Sequence, residues 1–407
     1  MIRSLSLACL AILSIGAAQA QGQRAEVIHW WTSGGESAAI QEIASAYTKA
    51  GGTWVDSAIA GGESARAAAI NRIVGGNPST AAQFNTSQQF VDLVKGGMLN
   101  TVDDVAKKND WDRILPAAIL KSIKVDGHFY AVPVNIHMPA WFWYSKAAFA
   151  KAGIADEPKT PDEFFAALDK LKAAGVTPVA FGGQPWQEKI VFDALLAHIG
   201  GADLYRKVYA GDQRAIASPA FRQVLTAFKR LKQYTDPGAP NRNWNDATAM
   251  VIQGKAGVQI MGDWAKGEFQ AARQTAGKEF GCFPGFGPSA PYIIAGDVFV
   301  FPKTSDAAVV KAQQLLATTM TSPATQVAFN NRKGSIPIRT DVDASAMDLC
   351  AQKGIAAMKD TGRQLPNPEM LVAPDITGAL QDAVTTFWNT NQSVDDAVRA
   401  VGSAVKG

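Results

Sequence analysis

The chain has 407 residues, 47% hydrophobic and 18% charged, with 39 Lys and Arg against 36 Asp and Glu for a formal charge of +3. That length exceeds what a single core ordinarily serves, so two lobes are expected. So slight a positive balance, with no Lys/Arg cluster, excludes a nucleic-acid binder.

The first twenty residues read as a secretory signal. Arg3 is the charged start, Leu5 to Ile15 the apolar run, and Ala18-Gln19-Ala20 the small-x-small cleavage pattern. The run is too short to span a bilayer, and no other run reaches the roughly 18 apolar residues of a membrane helix. The residues before Cys9 do not form a lipoprotein attachment pattern. The mature chain is therefore expected to begin near Gln21, in the periplasm. Cys282 and Cys350 then remain, and in an oxidising compartment they read as one disulfide, with two buried free thiols as the alternative. Four histidines and two cysteines, none at ligand spacing, give no metal site, and no cofactor is expected.

The N-terminal part alternates. Glu26 to Trp31 is a predicted strand, and Glu36 to Ala50 a helix with Ile40, Ile43 and Tyr47 on one face, stopped by Gly51-Gly52. Thr53 to Ala60 is a second strand. Gly61-Gly62-Glu63 repeats the first turn, a helix runs to Gly75-Gly76, and Thr80 to Phe84 is a third strand. This β-α-β-α-β order implies a parallel, doubly wound sheet whose ligand edge lies at the three strand ends. Those ends carry Trp30-Trp31, Gly61-Gly62-Glu63 and Gln83-Phe84-Asn85.

A tight hairpin is predicted at Val125-Asp126-Gly127-His128. Tyr130 to His137, broken by Pro133, reads as a crossing between lobes. Trp141-Phe142-Trp143-Tyr144 alternates like a core strand, and Trp54, Trp111 and Trp388 are assigned to the core. Thr160-Pro161-Asp162-Glu163 is a capping box, Ser218-Pro219 starts another helix, and Asn245 or Asp246 a third. Tyr292 to Phe301 is the predicted crossing back.

The adjacent tryptophans are the most informative local feature. Two large rings lead straight into a glycine turn and a helix start, where open α/β sheets bind ligands. Alternate strand residues point to opposite faces, so both rings are not expected under the sheet together. A flat aromatic face beside backbone N–H groups and a carboxylate suits a sugar, which has apolar C–H faces and a hydroxyl rim.

Several segments together resemble the extracytoplasmic solute-binding proteins of ABC sugar importers, family 1, and most of all their glucose and monosaccharide binders. They are Trp30-Trp31-Thr32-Ser33-Gly34-Gly35-Glu36, Ile59-Ala60-Gly61-Gly62 and Gly76-Asn77-Pro78-Ser79-Thr80-Ala81-Ala82-Gln83. Further on come Val132-Pro133-Val134-Asn135-Ile136-His137, Ala249-Met250-Val251-Ile252-Gln253-Gly254-Lys255-Ala256 and Met261-Gly262-Asp263-Trp264. Asp297-Val298-Phe299-Val300-Phe301-Pro302 and Lys333-Gly334-Ser335-Ile336-Pro337-Ile338-Arg339 complete the set. The resemblance implies the two-lobed α/β fold of periplasmic binding proteins, type II, joined by hinge crossings. The lobes would be residues 21–137 with 298–340, and 138–297 with 341–407. It further implies a monomer that closes on a sugar and delivers it to membrane permease subunits. Implied sugar contacts are Trp30, Trp31, Glu36, Gln83, Trp244, Trp264, Asp297 and Lys333, with Asn85, His137 and Trp186 as further candidates.

Each candidate has an ordinary structural alternative. Glu36 completes a capping box with Ser33, Asp297 needs donors in an apolar strand whatever its role, and His137 serves equally in packing between lobes. The chain departs from the glucose binders twice. Phe84-Asn85 stands where they carry a basic residue, and Pro366 to Asp375 holds no histidine where they have one. The rival function is a secreted carbohydrate-active enzyme, which needs two carboxylates about 5–10 Å apart with one protonated. Lys333 is expected to keep Glu36 and Asp297 ionised, and no nucleophile elbow, zinc motif or histidine triad is present, so no enzyme is expected. A sugar sensor serving a chemoreceptor is the other alternative.

Overall fold

The computed structural model describes residues 23–86 and 88–406; the signal expected over residues 1–20, with Cys9, lies outside them. The first lobe opens as β1 (Gln23–His29), α1 (Gly34–Lys49), β2 (Gly52–Ala58), α2 (Gly62–Val74) and β3 (Ala81–Asn85). β4 (Lys124–Val125) and β5 (His128–Phe129) make the expected hairpin. Its central residues, Asp126 at φ 49° and Gly127 at φ 85°, both have the positive φ that a primed two-residue turn requires.

β6 (Ala131–Pro133) precedes the crossing, and β7 (Trp141–Ser145), β8 (Thr177–Val179), β9 (Ala256–Met261) and β10 (Phe280–Phe283) build the second lobe. β11 (Tyr292–Ile294), β12 (Asp297–Val300) and β13 (Gln364–Pro366) follow. The first sheet runs β2-β1-β3-β12-β6 and the second β10-β7-β9-β8, while β11 pairs with β13 separately. β1 is parallel to β2 and β3, as the alternating pattern implies, but β12 enters antiparallel to both β3 and β6. Helices pack around both sheets in a two-lobed α/β fold.

The strand expected over Tyr292 to Phe301 is two strands, broken at Ala295-Gly296. Here the chain leaves the β11–β13 pair for the first sheet. A side chain on Gly296 would put its Cβ 2.5 Å from the Asn135 carbonyl oxygen, so only glycine lets the two crossings lie this close. The crossings bond to each other, His137 N–H to Ala295 carbonyl (2.9 Å) and the reverse (2.8 Å), and Ile136 bonds both ways with Ile336. Asp297 already pairs with Asn85, so the return to the first sheet is complete at Gly296 rather than after Asp297.

Caps fall where the sequence places them at Ser33, Thr160 and Ser218. The helix expected from Asn245 or Asp246 starts instead at Trp244, with Asn243 as its cap residue, which puts that indole at the first helical position. Trp111, Trp388 and all of β7 are buried, and Trp54 is half-buried. Among the described residues no helix is long and apolar enough to cross a membrane, and no side-chain group is arranged to hold a metal ion.

Cys282 on β10 is bonded to Cys350, on the helix Leu349–Met358, across 68 residues. A closed loop of that length restricts the unfolded chain by about 4 kcal/mol in the chain-entropy picture. The Cys282→Ser/Cys350→Ser variant is therefore expected to lose stability of that order, read as a lower denaturant midpoint with its secondary structure intact.

Candidate functional site

β1 ends one residue before the tryptophan pair, and the turn is fixed by a buried histidine. His29 Nδ1 accepts the Trp31 N–H (3.2 Å) and its Nε2 donates to Asp56 Oδ1 (2.8 Å). Burial pushes the His29 pKa down, with Asp56 opposing, so the ring keeps one acceptor nitrogen for Trp31. The two indoles then part. Trp31 is 1% exposed and packs on Phe299 (5.2–5.8 Å for its two phenyl neighbours) and Phe329. Trp30 is half-buried on the other side, under the Arg66 guanidinium at 5.6 Å from its ring centroid.

Glu36 sits in the first turn of α1. Its amide is capped by the Ser33 hydroxyl (3.4 Å), and its Oε2 accepts that hydroxyl's proton (3.1 Å), so the box closes on the Ser33 side chain instead of its backbone. Oε1 meets Lys333 Nζ at 3.2 Å, with both residues buried. Lys333 also lies 5.7 Å from the Trp31 centroid and 5.4 Å from that of Trp264. Burial pushes the Glu36 carboxyl up, with Lys333 and Ser33 pulling it back and Asp297 adding to the rise.

Asp297, 3% exposed, is held by amides. Gln83 Nε2 (3.1 Å) and Asn85 Nδ2 (3.3 Å) donate to Oδ1, and Asn135 Nδ2 to Oδ2 (2.8 Å). The far end of Gln83 accepts the Trp30 N–H (3.1 Å), and that of Asn85 accepts Arg66 Nη1 (3.3 Å). His137 Nε2 is 3.9 Å from Asp297 Oδ2, and its ring stands edge-on to Trp264 at 5.2 Å. Burial pushes the His137 pKa down to about 4.

The second lobe contributes rings. Trp264 is half-buried just after β9, folded back so that a Cβ on Gly262 would fall within 2.1 Å of the indole. Trp186 lies 6.5 Å from it and donates Nε1–H to Gln184 Oε1 (2.9 Å). Gln184 in turn donates to Asn243 (3.0 Å), the cap residue of the helix that carries Trp244. Trp30, Trp186, Trp244 and Trp264 all pack, partly buried, on one apolar cluster. The lobes are clasped at two glycines. A Cβ on Gly35 would meet the Gly267 carbonyl carbon at 2.4 Å, and the Gly35 N–H donates to Glu268 Oε1 (2.8 Å).

The structure thus gathers Trp30, Trp31, Glu36, Gln83, Asn85, His137, Trp264, Asp297 and Lys333 in one network of contacts, with Trp186 and Trp244 attached through Gln184. Sequence reasoning passed over His29, Asn135, Asp263, Arg66 and Glu369. Asn135 and Asp263 lie inside quoted segments, as polar residues in apolar company, and that signal was available. Asp263 Oδ2 accepts the Met138 N–H (3.0 Å), and burial pushes its carboxyl up to about 8 against the pull of Lys333. Nothing in the sequence marks Arg66 or Glu369.

The profile of the bacterial extracellular solute-binding protein family matches residues 31–327, well over half of the chain. A protein named as a probable sugar-binding periplasmic protein in Brucella suis is 40% identical over 397 residues, covering 94% of this chain and 92% of its own length. One of the same name in Rhizobium meliloti is 38% identical, covering 98% and 97%. Among solved structures, a chitin oligosaccharide binding protein superposes with a TM-score of 0.81 over 95% of this chain and 98% of its own, at 20% identity. The chain belongs to the bacterial extracellular solute-binding protein family.

Removing one partner of a buried ion pair strands the other charge, at about 3–5 kcal/mol. Lys333→Met is expected to destabilise the ligand-free protein by that amount in urea unfolding, and Glu36→Gln/Lys333→Met by much less. A second expectation concerns pH. His137 and His198, the latter boxed by Phe142 and Phe286, both have folded pKa values pushed from 6.5 to about 4. The unfolded chain takes these protons first. Stability from each site is therefore complete above pH 6.5 and falls through the window down to pH 4, by roughly 3 kcal/mol per site. Unfolding midpoints of His198→Phe should be flatter across that window than those of the wild type.

Proposed function

We propose that this solute-binding protein is the periplasmic sugar-capturing component of an ABC importer, closing on a glucose-like monosaccharide and presenting it to the transmembrane permease subunits. The observation that carries this reading is the half-buried Trp264 indole against Lys333 and His137, which in turn meet Glu36 and Asp297. One apolar face surrounded by charged and amide groups matches a pyranose, with its C–H face and hydroxyl rim. The names carried by relatives 38–40% identical over more than nine tenths of the chain support the sugar and the periplasm.

In this reading Trp264, Trp30, Trp186 and Trp244 present ring surface. Glu36, Gln83, Asn85 and Asp297 take hydroxyl protons, and Lys333 and His137 give them. Trp31, packed on Phe299 and Phe329, is the rigid floor under Lys333. The working unit is a monomer with two lobes divided near residues 137 and 297, and it needs no cofactor and forms no covalent intermediate. Magnitudes are compatible: micromolar binding requires about 8 kcal/mol, and each hydrogen bond to a charged group contributes roughly 1.5–3 kcal/mol.

Titrating the tryptophan fluorescence of the mature protein with glucose, galactose, mannose, xylose, arabinose and disaccharides tests the reading. Saturable change with a monosaccharide is expected, and Trp264→Ala should weaken it about 100-fold, the scale of a central aromatic anchor. A flat response across the panel overturns the sugar assignment. Saturation only by disaccharides overturns the monosaccharide one.

A further inference from the structure

A second lobe-to-lobe contact lies at α2. Arg66 projects from the second turn of this helix onto Trp30, and a Cβ on Gly62 would lie 3.2 Å from its Nη1 and 3.6 Å from the indole. A side chain at Gly62 would therefore touch the indole and crowd the guanidinium above it. Among the described residues the hydrogen bond of Arg66 is the one from Nη1 to Asn85 Oδ1 (3.3 Å). A guanidinium has five N–H donors, so four are uncommitted to other described residues.

From the second lobe, Glu369 reaches the same strand end. Its carbonyl accepts the Gln88 N–H (3.3 Å) and its Oε2 accepts Gln89 Nε2 (3.2 Å). Its segment is held to the second lobe by Tyr205 Oη to the Pro366 carbonyl (3.0 Å) and by Asn367 N–H to the Ile294 carbonyl (2.9 Å). One turn back on α2, Glu63 Oε1 accepts Gln381 Nε2 (3.4 Å), so α2 faces the second lobe along its first turns. Burial pushes the Glu369 carboxyl up, and Arg66 heads the charges that pull it back. Arg66, bonded to Asn85, and Glu369, bonded to Gln88 and Gln89, thus reach the end of β3 from opposite lobes.

We infer that Arg66 is a specificity-determining ligand residue which, with Glu369 across the cleft, reads two adjacent hydroxyls of a neutral sugar. This rests on the sugar-binding reading above. The planar fork of a guanidinium presents paired N–H groups at the spacing of a vicinal diol, and a carboxylate opposite takes the hydroxyl protons. A lysine in its place would offer a point charge without that geometry. Glu369 also selects by repulsion: a uronate or a sugar phosphate would bring its anion against this carboxylate as well as against Asp297. Asn85, already bonded to Arg66 and to Asp297, fixes the fork, so the cation that the end of β3 lacks is delivered from the neighbouring helix.

Sites built to hydrogen-bond a hydroxyl reject the analogue that lacks it far more strongly than apolar pockets reject a missing methylene. The experiment is calorimetric titration of wild type, Arg66→Met, Arg66→Lys and Glu369→Gln. The probes are glucose, galactose, mannose and xylose with their singly deoxygenated analogues. The wild type is expected to bind one parent sugar and to lose at least 30-fold when either of two neighbouring hydroxyls is removed. Arg66→Met should bind the parent at least 30-fold more weakly yet bind those two deoxy analogues as the wild type does, so that discrimination disappears. Arg66→Lys, which keeps the charge over Trp30, should lose discrimination too, and Glu369→Gln should lose part of it. If Arg66→Met weakens the parent and every analogue by one common factor, the residue only props up Trp30 and the inference is overturned. Unchanged binding in Arg66→Met overturns it as well. A wild type that binds none of these sugars is a different result: it removes the monosaccharide reading itself, and the inference falls with it.

Discussion

The buried carboxylate of Asp297 is the constraint on which the rest of the site depends. A carboxylate taken out of water must find donors, and without them its burial is prohibitive. Here three amides supply them, two from β3 and one from the crossing segment, while the Asp297 N–H donates to Asn135 Oδ1 (2.6 Å). Each amide has a second end, and in β3 those ends do the positioning. Gln83 holds the backbone of Trp30 and Asn85 holds Arg66. One acidic residue at the first position of β12 thereby orients an indole, a guanidinium and a hinge crossing that lie far apart in sequence. The break at Gly296 belongs to the same arrangement, since β12 can begin at Asp297 only where the two crossings pack backbone to backbone.

The Lys333 ammonium plays the matching part between the lobes. A buried ion pair adds little net stability against an apolar pair of the same shape. What the Glu36–Lys333 pair supplies is a fixed direction. The cation rests between Trp31 of the first lobe and Trp264 just after β9 of the second, and it reaches that place because the N-terminus of α1, the helix Ala265–Ala271 and the end of the helix Pro323–Lys333 converge at Gly35 and Gly267. A Cβ on Gly267 would sit 2.9 Å from the Arg332 carbonyl oxygen. Backbone contact this tight fixes how closely the three helix ends pack. Glu36, Lys333 and Trp264 lie nearest this clasp, while α2 meets the second lobe through the polar contact of Glu63 with Gln381 (3.4 Å).

Much of this was legible in the sequence. Strand–helix alternation gave β1 to β3 within one to three residues at each boundary, because amphipathic periodicity and glycine stops are local signals. The cysteine pairing followed from compartment and count. What local signals could not convey was register across the sheet. Tyr292 to Phe301 is uniformly apolar apart from Gly296 and Asp297, so nothing in its period shows that it serves two sheets, and only the close approach of Asn135 explains the break. Asn245 and Asp246 both read as caps, which would leave Trp244 ahead of the helix. Asn243 takes that place instead, which sets the indole against the core rather than free of it. Arg66 was invisible for a different reason: on α2 it is an ordinary half-exposed arginine, and its importance arises entirely from Gly62, three-dimensional neighbours on β3, and a carboxylate three hundred residues away.

The two lobes contribute unlike chemistry, and this bears on how a ligand is held. The first lobe brings charge and amides on strand ends and helix starts, where backbone geometry fixes them. The second brings indoles held from behind: Trp264 lies over Gly262, where a side chain would displace it, and Trp186 is bonded to Gln184, which is bonded to the cap of the helix bearing Trp244. Both sets are held by contacts within the protein, which lowers the rotamer entropy that binding ordinarily costs. In the proposed capture the remaining cost is lobe closure, which the Glu63–Gln381 bridge from α2 is too slight to offset unaided. A ligand that completes hydrogen bonds to both Arg66 and Glu369 lowers the free energy of the closed form specifically, whereas one that only stacks on the rings binds open and closed forms more nearly alike. Selectivity for the ligand and selectivity for the closed state are on this account one interaction, located where the lobes touch least.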